Sequence, residues 1–161
     1  VLLLMGANLE IKNKKKASNE IVGDIHIRSS ELRGINVPDN IIPNIIDEIP
    51  ILSVVSMFAS GKMTISGAEE LRHKESDRIE KIVHLVTQFG GDITEFSDGF
   101  EIKGQLNPKQ PTIQTGYDHR IAMSAIIAAI GANVPVTLDS SDCINTSFPN
   151  FFNCLERVTT S

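Results

Sequence analysis

Residues 58–65, Phe-Ala-Ser-Gly-Lys-Met-Thr-Ile, join the end of an apolar helical stretch to a short strand through Gly61. A glycine is favoured just after the last helical residue, because its backbone takes the left-handed conformation without a Cβ clash. The same succession of apolar segment, glycine and strand recurs around Gly6, Gly90 and Gly131. Joints of this kind that recur along one chain predict an α/β domain built from repeated units.

The spacing of apolar residues and turn residues places the other elements. We predict helices over residues 48–60, 74–89, 119–130 and 149–158. We predict strands over residues 21–28, 31–37, 100–103 and 111–115. A hairpin is predicted between 93–96 and 100–102 with Asp98-Gly99 as its turn, and residues 1–6 are predicted to be the last turn of a helix.

Composition excludes some functional classes. The chain has 161 residues, 41% of them apolar and 22% charged, with a net charge of −5. That composition is ordinary for a soluble globular chain, and the acidic balance argues against a nucleic-acid partner. The lysines of residues 12–16 have no aromatic neighbour on which a base could stack, and we interpret them as a solvated turn between two strands.

Neither a metal site nor a membrane span is predicted. Cys143 and Cys154 suit a reducing cytoplasm, and no cysteine or histidine pair has the spacing of zinc ligands. The longest uncharged run, residues 121–138, contains Gly131 and Pro135. We therefore interpret the run as a buried helix followed by a buried strand rather than as a membrane span.

Charged residues dominate the stretch 69–79, Glu-Glu-Leu-Arg-His-Lys-Glu-Ser-Asp-Arg-Ile, which precedes an apolar helical pattern. Lys74 and Arg78 are four residues apart and share a helix face, and Glu75 lies close to the same face. The ordinary structural explanation is a solvated first turn, in which Glu75–Arg78 pairs are worth roughly a few tenths of a kcal/mol. The alternative is a site that presents two cations and a carboxylate together.

Asp47 and Glu48 interrupt an otherwise apolar region at the mouth of the predicted helix 48–60. A carboxylate at that position is most often an N-cap. It can also be a catalytic group whose pKa is raised by partial burial, and the residue pattern alone leaves both interpretations open.

Asp118, His119 and Arg120 precede a helix made almost entirely of small and apolar residues. Asp118 is predicted to be its N-cap. An arginine at the positive end of a buried helix is unfavourable unless an anion binds there or a nearby carboxylate pairs with it. We keep both explanations for Arg120.

Two motifs together resemble the 5-enolpyruvylshikimate-3-phosphate synthase family (3-phosphoshikimate 1-carboxyvinyltransferase). They are Lys-Glu-Ser-Asp-Arg at 74–78 and Asp-His-Arg-Ile-Ala-Met at 118–123. Three further segments resemble the family in the same order, at residues 27–35, 47–50 and 146–152. The resemblance covers nearly the whole chain.

The resemblance implies an enolpyruvyl transferase fold. Members of the family have two globular domains, each made of three βαβαββ units, and bind their substrates between the domains. Residues 1–161 would then be most of the C-terminal domain, incomplete at its N-terminal edge, with the N-terminal domain as the missing partner. We expect a monomer in the cytoplasm.

The resemblance also implies a reaction, in which the enolpyruvyl group of phosphoenolpyruvate passes to the 5-hydroxyl of shikimate 3-phosphate and phosphate is released. The family needs no metal or organic cofactor. Asp47 resembles the aspartate that contacts the shikimate ring and accepts a proton, and Glu75 resembles the glutamate implicated in proton transfer at the methylene carbon. His119 resembles a neighbouring catalytic histidine.

The remaining site residues are implied to bind substrate. Lys74 resembles a lysine near both substrates, and Arg78 and Arg120 resemble the arginines that clamp phosphoenolpyruvate. Some members carry a lysine just before the final Phe-Pro, where this chain has Thr146 and Ser147. The number of cations on the donor substrate is therefore open.

Two alternatives remain at this level. One is the related enolpyruvyl transferase that acts on UDP-N-acetylglucosamine, which shares the fold and the donor. The other is a non-catalytic anion-binding module. If the chain is instead the C-terminal domain of a 5-enolpyruvylshikimate-3-phosphate synthase, we expect the isolated chain to fold but to have negligible catalytic activity, because half of the site is absent.

Overall fold

The computed structural model of the chain describes residues 1–104, 106–107 and 110–159. The other residues of the predicted domain 1–161 lie outside the described residues. The secondary structure alternates between helices and strands, as the α/β prediction requires.

The first strands form a two-stranded antiparallel hairpin. One helical turn precedes it, in which the Met5 amide donates to the Val1 carbonyl at 3.0 Å, as predicted. β1 (Asn8–Ala17) pairs with β2 (Glu20–Arg28), and the loop residues Ser18 and Asn19 have φ values of 48° and 71°.

The interpretation of residues 12–16 as a turn is wrong. These lysines lie inside β1, and the turn falls instead on Ser18 and Asn19. The hairpin is a ribbon with exposed side chains along nearly its whole length, so lysines in the strand remain solvated.

One complete βαβαββ succession follows the hairpin. Its first β-segment is reduced to two isolated parallel bridges, Arg33 to Ser60 and Asn36 to Thr64, where a strand over 31–37 was predicted. A helical stretch then runs through a 3-10 turn (Asp39–Ile41), α1 (Ile42–Ile45), a second 3-10 turn (Ile46–Glu48) and α2 (Ile49–Met57). The predicted helix 48–60 therefore corresponds to α2, which ends three residues earlier.

The second half of the unit builds a three-stranded sheet. A 3-10 turn (Glu69–His73) links β3 (Lys62–Ile65) to α3 (Arg78–Gln88), and the hairpin of β4 (Asp92–Phe96) and β5 (Gly99–Lys103) follows. The strand order is β3-β5-β4, with antiparallel neighbours. Phe96 pairs with Gly99, so the hairpin turn is Ser97–Asp98, one residue before the predicted position.

A second succession of strand and helix completes the described chain. β6 (Thr112–Ile113) and β7 (Thr137–Leu138) are parallel and are joined by α4 (His119–Ala132). α5 (Asp142–Ser147) was not predicted, and α6 (Phe151–Thr159) replaces the predicted helix 149–158.

Three of the four predicted glycine joints are confirmed, and the one at Gly131 is wrong. Gly6, Gly61 and Gly90 have φ values of 90°, 78° and 78°. Gly131 lies inside α4, and Asn133 takes the left-handed position with φ 53° and ψ 46°. A Cβ at Gly131 would lie 2.8 Å from Cζ of the Phe58 ring, so this ring, which is 45% exposed, would have to shift to accept a side chain there.

The core forms where α2, α3 and α4 pack against each other and against the three-stranded sheet. α2 and α4 are apolar on nearly all sides, which is typical of helices enclosed in a fold. Ion pairs connect the N-terminal ends of the three helices, so these ends meet on one side of the core. The charged motifs of the sequence all lie there.

The stretch Asp39–Met57 is long and apolar enough by length and composition to cross a membrane, and 44% of its best window is buried in the fold. It is divided by two 3-10 turns and packs against α4, as a core element does. Residues 121–138 form most of α4, the loop after it and β7, so the prediction of a helix followed by a strand is confirmed. The strand is not buried as predicted, because Thr137 is exposed and Leu138 is only partly buried.

Candidate active site

Arg78, the first residue of α3, is the centre of the charged cluster. Its side chain is only 1% exposed. Its Nε donates to Asp118 at 2.8 Å, its Nη1 to Asp47 at 2.9 Å and its Nη2 to Glu75 at 2.5 Å. A buried guanidinium is tolerated only when it is paired in this way, so Arg78 joins three separate segments of the chain.

The interpretation of residues 69–79 as a solvated first turn is therefore wrong for Arg78, although the predicted Glu75–Arg78 pair is present. Burial alone would lower the pKa of Arg78, but Asp118, Glu75 and Asp47 together raise it. The arginine is permanently charged, and the cluster is a structural ionic centre before any ligand arrives.

Asp118 has two functions in the structure. It is completely buried, and its Oδ1 accepts from the amides of Arg120 and Ile121 as the predicted N-cap of α4. Its Oδ2 accepts from Arg78 and from the Ser76 hydroxyl at 3.0 Å. The cap prediction is confirmed, and the contact with Arg78 is an additional function that the sequence did not indicate.

Asp139, at the end of β7, fixes the loop that carries Asp118. Its Oδ1 accepts from the Thr115 amide at 3.0 Å and from the Thr115 hydroxyl at 2.6 Å, and its Oδ2 accepts from the Gly116 amide. Burial alone would raise the pKa of Asp139, but these hydrogen bonds outweigh burial and lower it. Asp139 thus contributes to the charged cluster indirectly, because it fixes the backbone of residues 115–118.

Asp47 lies in the 3-10 turn before α2 and is half exposed. No side chain caps α2, so the N-cap interpretation of Asp47 and Glu48 is wrong. Asp47 contacts Arg78 at 2.9 Å and lies 3.8 Å from Nζ of Lys74. Its position is set by the cations around it rather than by the helix end.

The pKa of Asp47 is also opposite to the expectation of a raised value. Burial raises it, but the charges of Lys74, Arg120 and Arg78 outweigh burial and lower it. Asp47 is therefore ionised at neutral pH, and its proton affinity depends on whether those cations are neutralised by other anions.

Lys74 and Arg72 hold the stretch before α3 in place. Lys74 pairs with the carboxylate of Glu70, and this hydrogen bond raises its pKa. Arg72 donates to Asp77 at 2.9 Å and to Glu95 at 2.8 Å. Asp77 is the N-cap of α3, and its side chain accepts from the backbone amide of Glu80.

The carboxylate explanation kept for Arg120 is confirmed, and the anion explanation stays a prediction. Its Nη1 donates to the main-chain carbonyl of Asp47 at 2.6 Å and to the carboxylate of Glu48 at 3.0 Å. Its Nε and Nη2 make no hydrogen bond to the described residues, and the side chain is 30% exposed. His119, the first residue of α4, is partly exposed, and its imidazole makes no hydrogen bond within the same part of the chain. Donors of Arg120 remain open to an anion.

Charge at this cluster is unbalanced. The ion pairs there join five carboxylates (Asp47, Glu48, Glu70, Glu75 and Asp118) to three cations (Lys74, Arg78 and Arg120). Five of these eight residues, together with His119, are the site residues identified from the sequence. Within residues 1–104, 106–107 and 110–159, no group of three or more His, Cys, Asp or Glu side chains is placed to hold a metal ion.

Sequence reasoning missed four contributors: Ser76, Glu48 as the partner of Arg120, Asp139, and Asp118 as the partner of Arg78. Ser76 lies inside the Lys-Glu-Ser-Asp-Arg motif and could have been found there. The partners of Arg78 and Arg120 are up to 73 residues away in sequence, and no local pattern reports such pairings.

The fold has close counterparts among solved structures. Two structures of EPSP synthase from Acinetobacter baumannii superpose with TM-scores of 0.92 and 0.90, at 36% and 34% identity. Each match covers 98% of this chain and 37% of the other. The chain is thus an α/β domain with the enolpyruvyl transferase fold.

The family follows from sequence comparison. A family model described as EPSP synthase (3-phosphoshikimate 1-carboxyvinyltransferase) matches residues 1–155, and the chain belongs to this family. A 3-phosphoshikimate 1-carboxyvinyltransferase of Petrotoga mobilis is 45% identical over 159 residues, which cover 98% of this chain and 37% of the relative. Another from Caldicellulosiruptor bescii is 46% identical over 156 residues, covering 96% and 36%. The chain therefore spans a little over a third of the length of these relatives.

Proposed function

We propose that this chain is the C-terminal domain of a 3-phosphoshikimate 1-carboxyvinyltransferase. The proposed reaction transfers the enolpyruvyl group of phosphoenolpyruvate to the 5-hydroxyl of shikimate 3-phosphate. Family membership supports it, as do relatives named for that activity that are more than twice as long as this chain. The gathering of Asp47, Lys74 and Glu75 around Arg78, with Arg120 beside them, is the observation that carries it.

Asp47 is the proposed acceptor of the hydroxyl proton. Without substrate, its pKa is held down by Lys74, Arg120 and Arg78 after burial has raised it. Substrate phosphate and carboxylate groups that pair with these cations would weaken their pull on Asp47. The pKa of Asp47 would then rise when substrates are bound, which makes the carboxylate a stronger base at the moment it is needed.

Glu75 is the proposed group for proton transfer at the methylene carbon of phosphoenolpyruvate. It is half exposed and is bonded to the buried guanidinium of Arg78 at 2.5 Å. Arg78 is anchored on its other side by Asp118, so the position of Glu75 is set by a rigid group. Pre-positioned groups of this kind cost no reorganisation during the reaction.

Arg120 is the proposed donor to an anionic group of phosphoenolpyruvate, through Nε and Nη2. Lys74, between Asp47 and Glu70, would lie near both substrates. His119 precedes Arg120 on the first turn of α4 and is the proposed neighbouring catalytic group. A metal or organic cofactor is not part of the proposed reaction.

The rest of the protein is the proposed source of the missing charge. Carboxylates outnumber cations in the cluster, so two anionic substrates need further cations from another domain. We therefore expect negligible turnover by this chain alone. The proposal retains a monomer in the cytoplasm, which the free state of Cys143 and Cys154 supports.

A chimera tests the proposed function. The matching segment of the Petrotoga mobilis relative, which aligns over 159 residues, would be replaced by this chain, and phosphate release with both substrates would be measured. We expect activity in the chimera and a loss of about a hundredfold or more in kcat after Asp47→Asn or Glu75→Gln. Asp92→Asn is the matched control, because Asp92 forms an exposed pair with Lys103 beyond the opposite end of α3.

The alternatives predict different outcomes. A non-catalytic module would give a folded chimera, with an unaltered circular dichroism spectrum, in which Asp47→Asn and Glu75→Gln leave turnover equal to the control variant. A transferase for UDP-N-acetylglucosamine would turn over that acceptor in preference to shikimate 3-phosphate. Either result would overturn the proposal.

Titration of the isolated chain with phosphoenolpyruvate tests the half-site directly. Amide shifts in an NMR titration should be confined to residues 74–78 and 119–120 and should disappear in Arg120→Ala. Because Glu48 competes for Arg120, we expect binding only at millimolar ligand. Shifts that persist unchanged in Arg120→Ala would contradict the proposed function of that residue.

A further inference from the structure

A cavity lies beside the charged cluster. It has a volume of about 250 Å³, lies between α2, α4 and the segment that leads into α6, and is partly open to solvent. Its walls are apolar side chains: Ile51, Met123, Ile127, Phe148 and Phe151. Asp47, Glu48 and Arg120 border it.

Ser124 introduces one polar group into this apolar wall. The residue is only 3% exposed and lines the cavity. A serine inside a helix normally bonds back to a main-chain carbonyl, as Ser53 and Ser56 do at 2.6 and 2.7 Å. The hydroxyl of Ser124 makes no such bond to any described residue.

The hydroxyl of Ser124 is reached from the cavity. Within the described part of the chain, every fully enclosed side-chain nitrogen or oxygen has a hydrogen-bond partner. Since the Ser124 hydroxyl has none, its oxygen is not fully enclosed, and the cavity is the space that it lines. The hydroxyl has no partner among the described residues, so an acceptor oxygen of a ligand in the cavity would receive its O–H.

We propose that this cavity binds a small molecule consisting of one six-membered ring and a single acceptor oxygen, such as a carbonyl. An engineered cavity of about 150 Å³ lined by apolar residues holds benzene, so 250 Å³ accommodates a ring with a short substituent. The apolar walls disfavour phosphates and polyols, which distinguishes this site from the proposed substrate site. The acceptor oxygen takes the O–H of Ser124.

Occupancy of this cavity is expected to affect the charged cluster. Arg120 and Asp47 belong to both sites, so a ring ligand that shifts the Arg120 side chain changes the affinity for an anion there. By linkage, the anion changes the affinity for the ring ligand by the same factor. This coupling rests on the proposed function, whereas the binding of a ring ligand does not.

Two isosteric probes test the site in the 161-residue chain. Acetophenone carries a ring and a carbonyl, and α-methylstyrene has the same shape without the acceptor oxygen. We expect both to shift the methyl NMR signals of Met123 and Ile127 with saturation, and to leave the remote Ile102 unshifted. Ser124→Ala should weaken acetophenone by about three- to tenfold and leave α-methylstyrene unchanged.

The outcomes separate the proposal from its alternatives. No saturable shift at Met123 and Ile127, or equal shifts at Ile102, would overturn the site. An equal loss of affinity for both probes in Ser124→Ala would refute the proposed hydrogen bond between Ser124 and the ligand. Ile127→Phe, which fills the cavity, should abolish both probes. None of these readouts involves turnover or phosphoenolpyruvate, so failure here is distinguishable from failure of the proposed function.

Discussion

Asp118→Ala is expected to destabilise the chain more than any other single carboxylate change in the cluster. It removes the N-cap of α4, which costs about 1 kcal/mol. It also leaves the buried Arg78 without one partner, which costs about 3–5 kcal/mol for a buried pair. Asp47 and Glu75 still pair with Arg78, so we take the lower limit and expect a loss of about 4 kcal/mol in the free energy of unfolding.

Urea unfolding followed by circular dichroism measures this loss. Asp77→Ala is the matched control, because Asp77 also caps its helix, α3, but is 31% exposed. Among the described residues its ion-pair partner is the partly exposed Arg72. We expect about 1 kcal/mol for the control. Asp118→Asn keeps an oxygen for the cap and loses the charge, and we expect about 2 kcal/mol from the weaker bond to Arg78.

The relative losses of unfolding free energy in the three variants test this reasoning. If Asp118→Ala costs no more than Asp77→Ala, the buried pair with Arg78 contributes nothing beyond a cap, and Arg78 is not the ionic centre of the fold. If Asp118→Ala fails to fold, the comparison of Asp118→Asn with Asp77→Ala still tests the charge. Equal losses in these two would refute the reasoning.

Three further predictions follow from the geometry. Lys74→Met should raise the pKa of Asp47, because the substitution removes a cation that lowers this pKa. The NMR shift of the Asp47 carboxyl carbon across a pH titration measures the change, and an unchanged or lower pKa would contradict the assigned cause. Asp139→Asn should destabilise the chain near neutral pH, because folding lowers the pKa of Asp139 below its ordinary value of 3.8. The ionised carboxylate therefore contributes stability above pH 3.8, and this contribution is lost as the pH falls through the pKa of the folded state. Urea midpoints should therefore converge in acid, and a constant difference from pH 7 to pH 3 would argue against this linkage. Gly104→Ala should lower the free energy of unfolding in urea several times more than Gly61→Ala. A Cβ at Gly104 would lie 1.4 Å from the Ala59 carbonyl oxygen, whereas no atom lies within 4 Å of a Cβ at Gly61. Similar losses in the two variants would indicate that the backbone conformation at Gly61 dominates.

Local sequence signals predicted the elements that depend on local physics. The N-cap at Asp118, the helix that follows it and the left-handed glycines at 6, 61 and 90 were all found from residue pattern. Each depends on a backbone preference or a hydrogen bond within a few residues. The resemblance to the family supplied the unit order, which the described chain follows from residue 33 to residue 103 with two isolated bridges in place of the first strand.

Predictions that needed tertiary knowledge were wrong. Gly131 was predicted to end a helix, but it lies inside α4 in close contact with the Phe58 ring, and Asn133 ends the helix instead. Residues 31–37 have strand character, but only two isolated bridges form, beside Ser60 and Thr64. The expected raised pKa of Asp47 depended on burial alone, whereas three cations from two other segments reverse its direction.

The sequence by itself therefore determined the four longest helices, most strands, the family resemblance and the residues of the candidate site, because these depend on periodicity and short motifs. Only the tertiary structure decided that Arg78 is buried among three carboxylates, that Arg120 keeps open donors and that Ser124 faces a separate cavity. The physical reason is distance along the chain. Arg78 meets its partners 3, 31 and 40 residues away, and the charge state of such a cluster is a property of the space in which they meet.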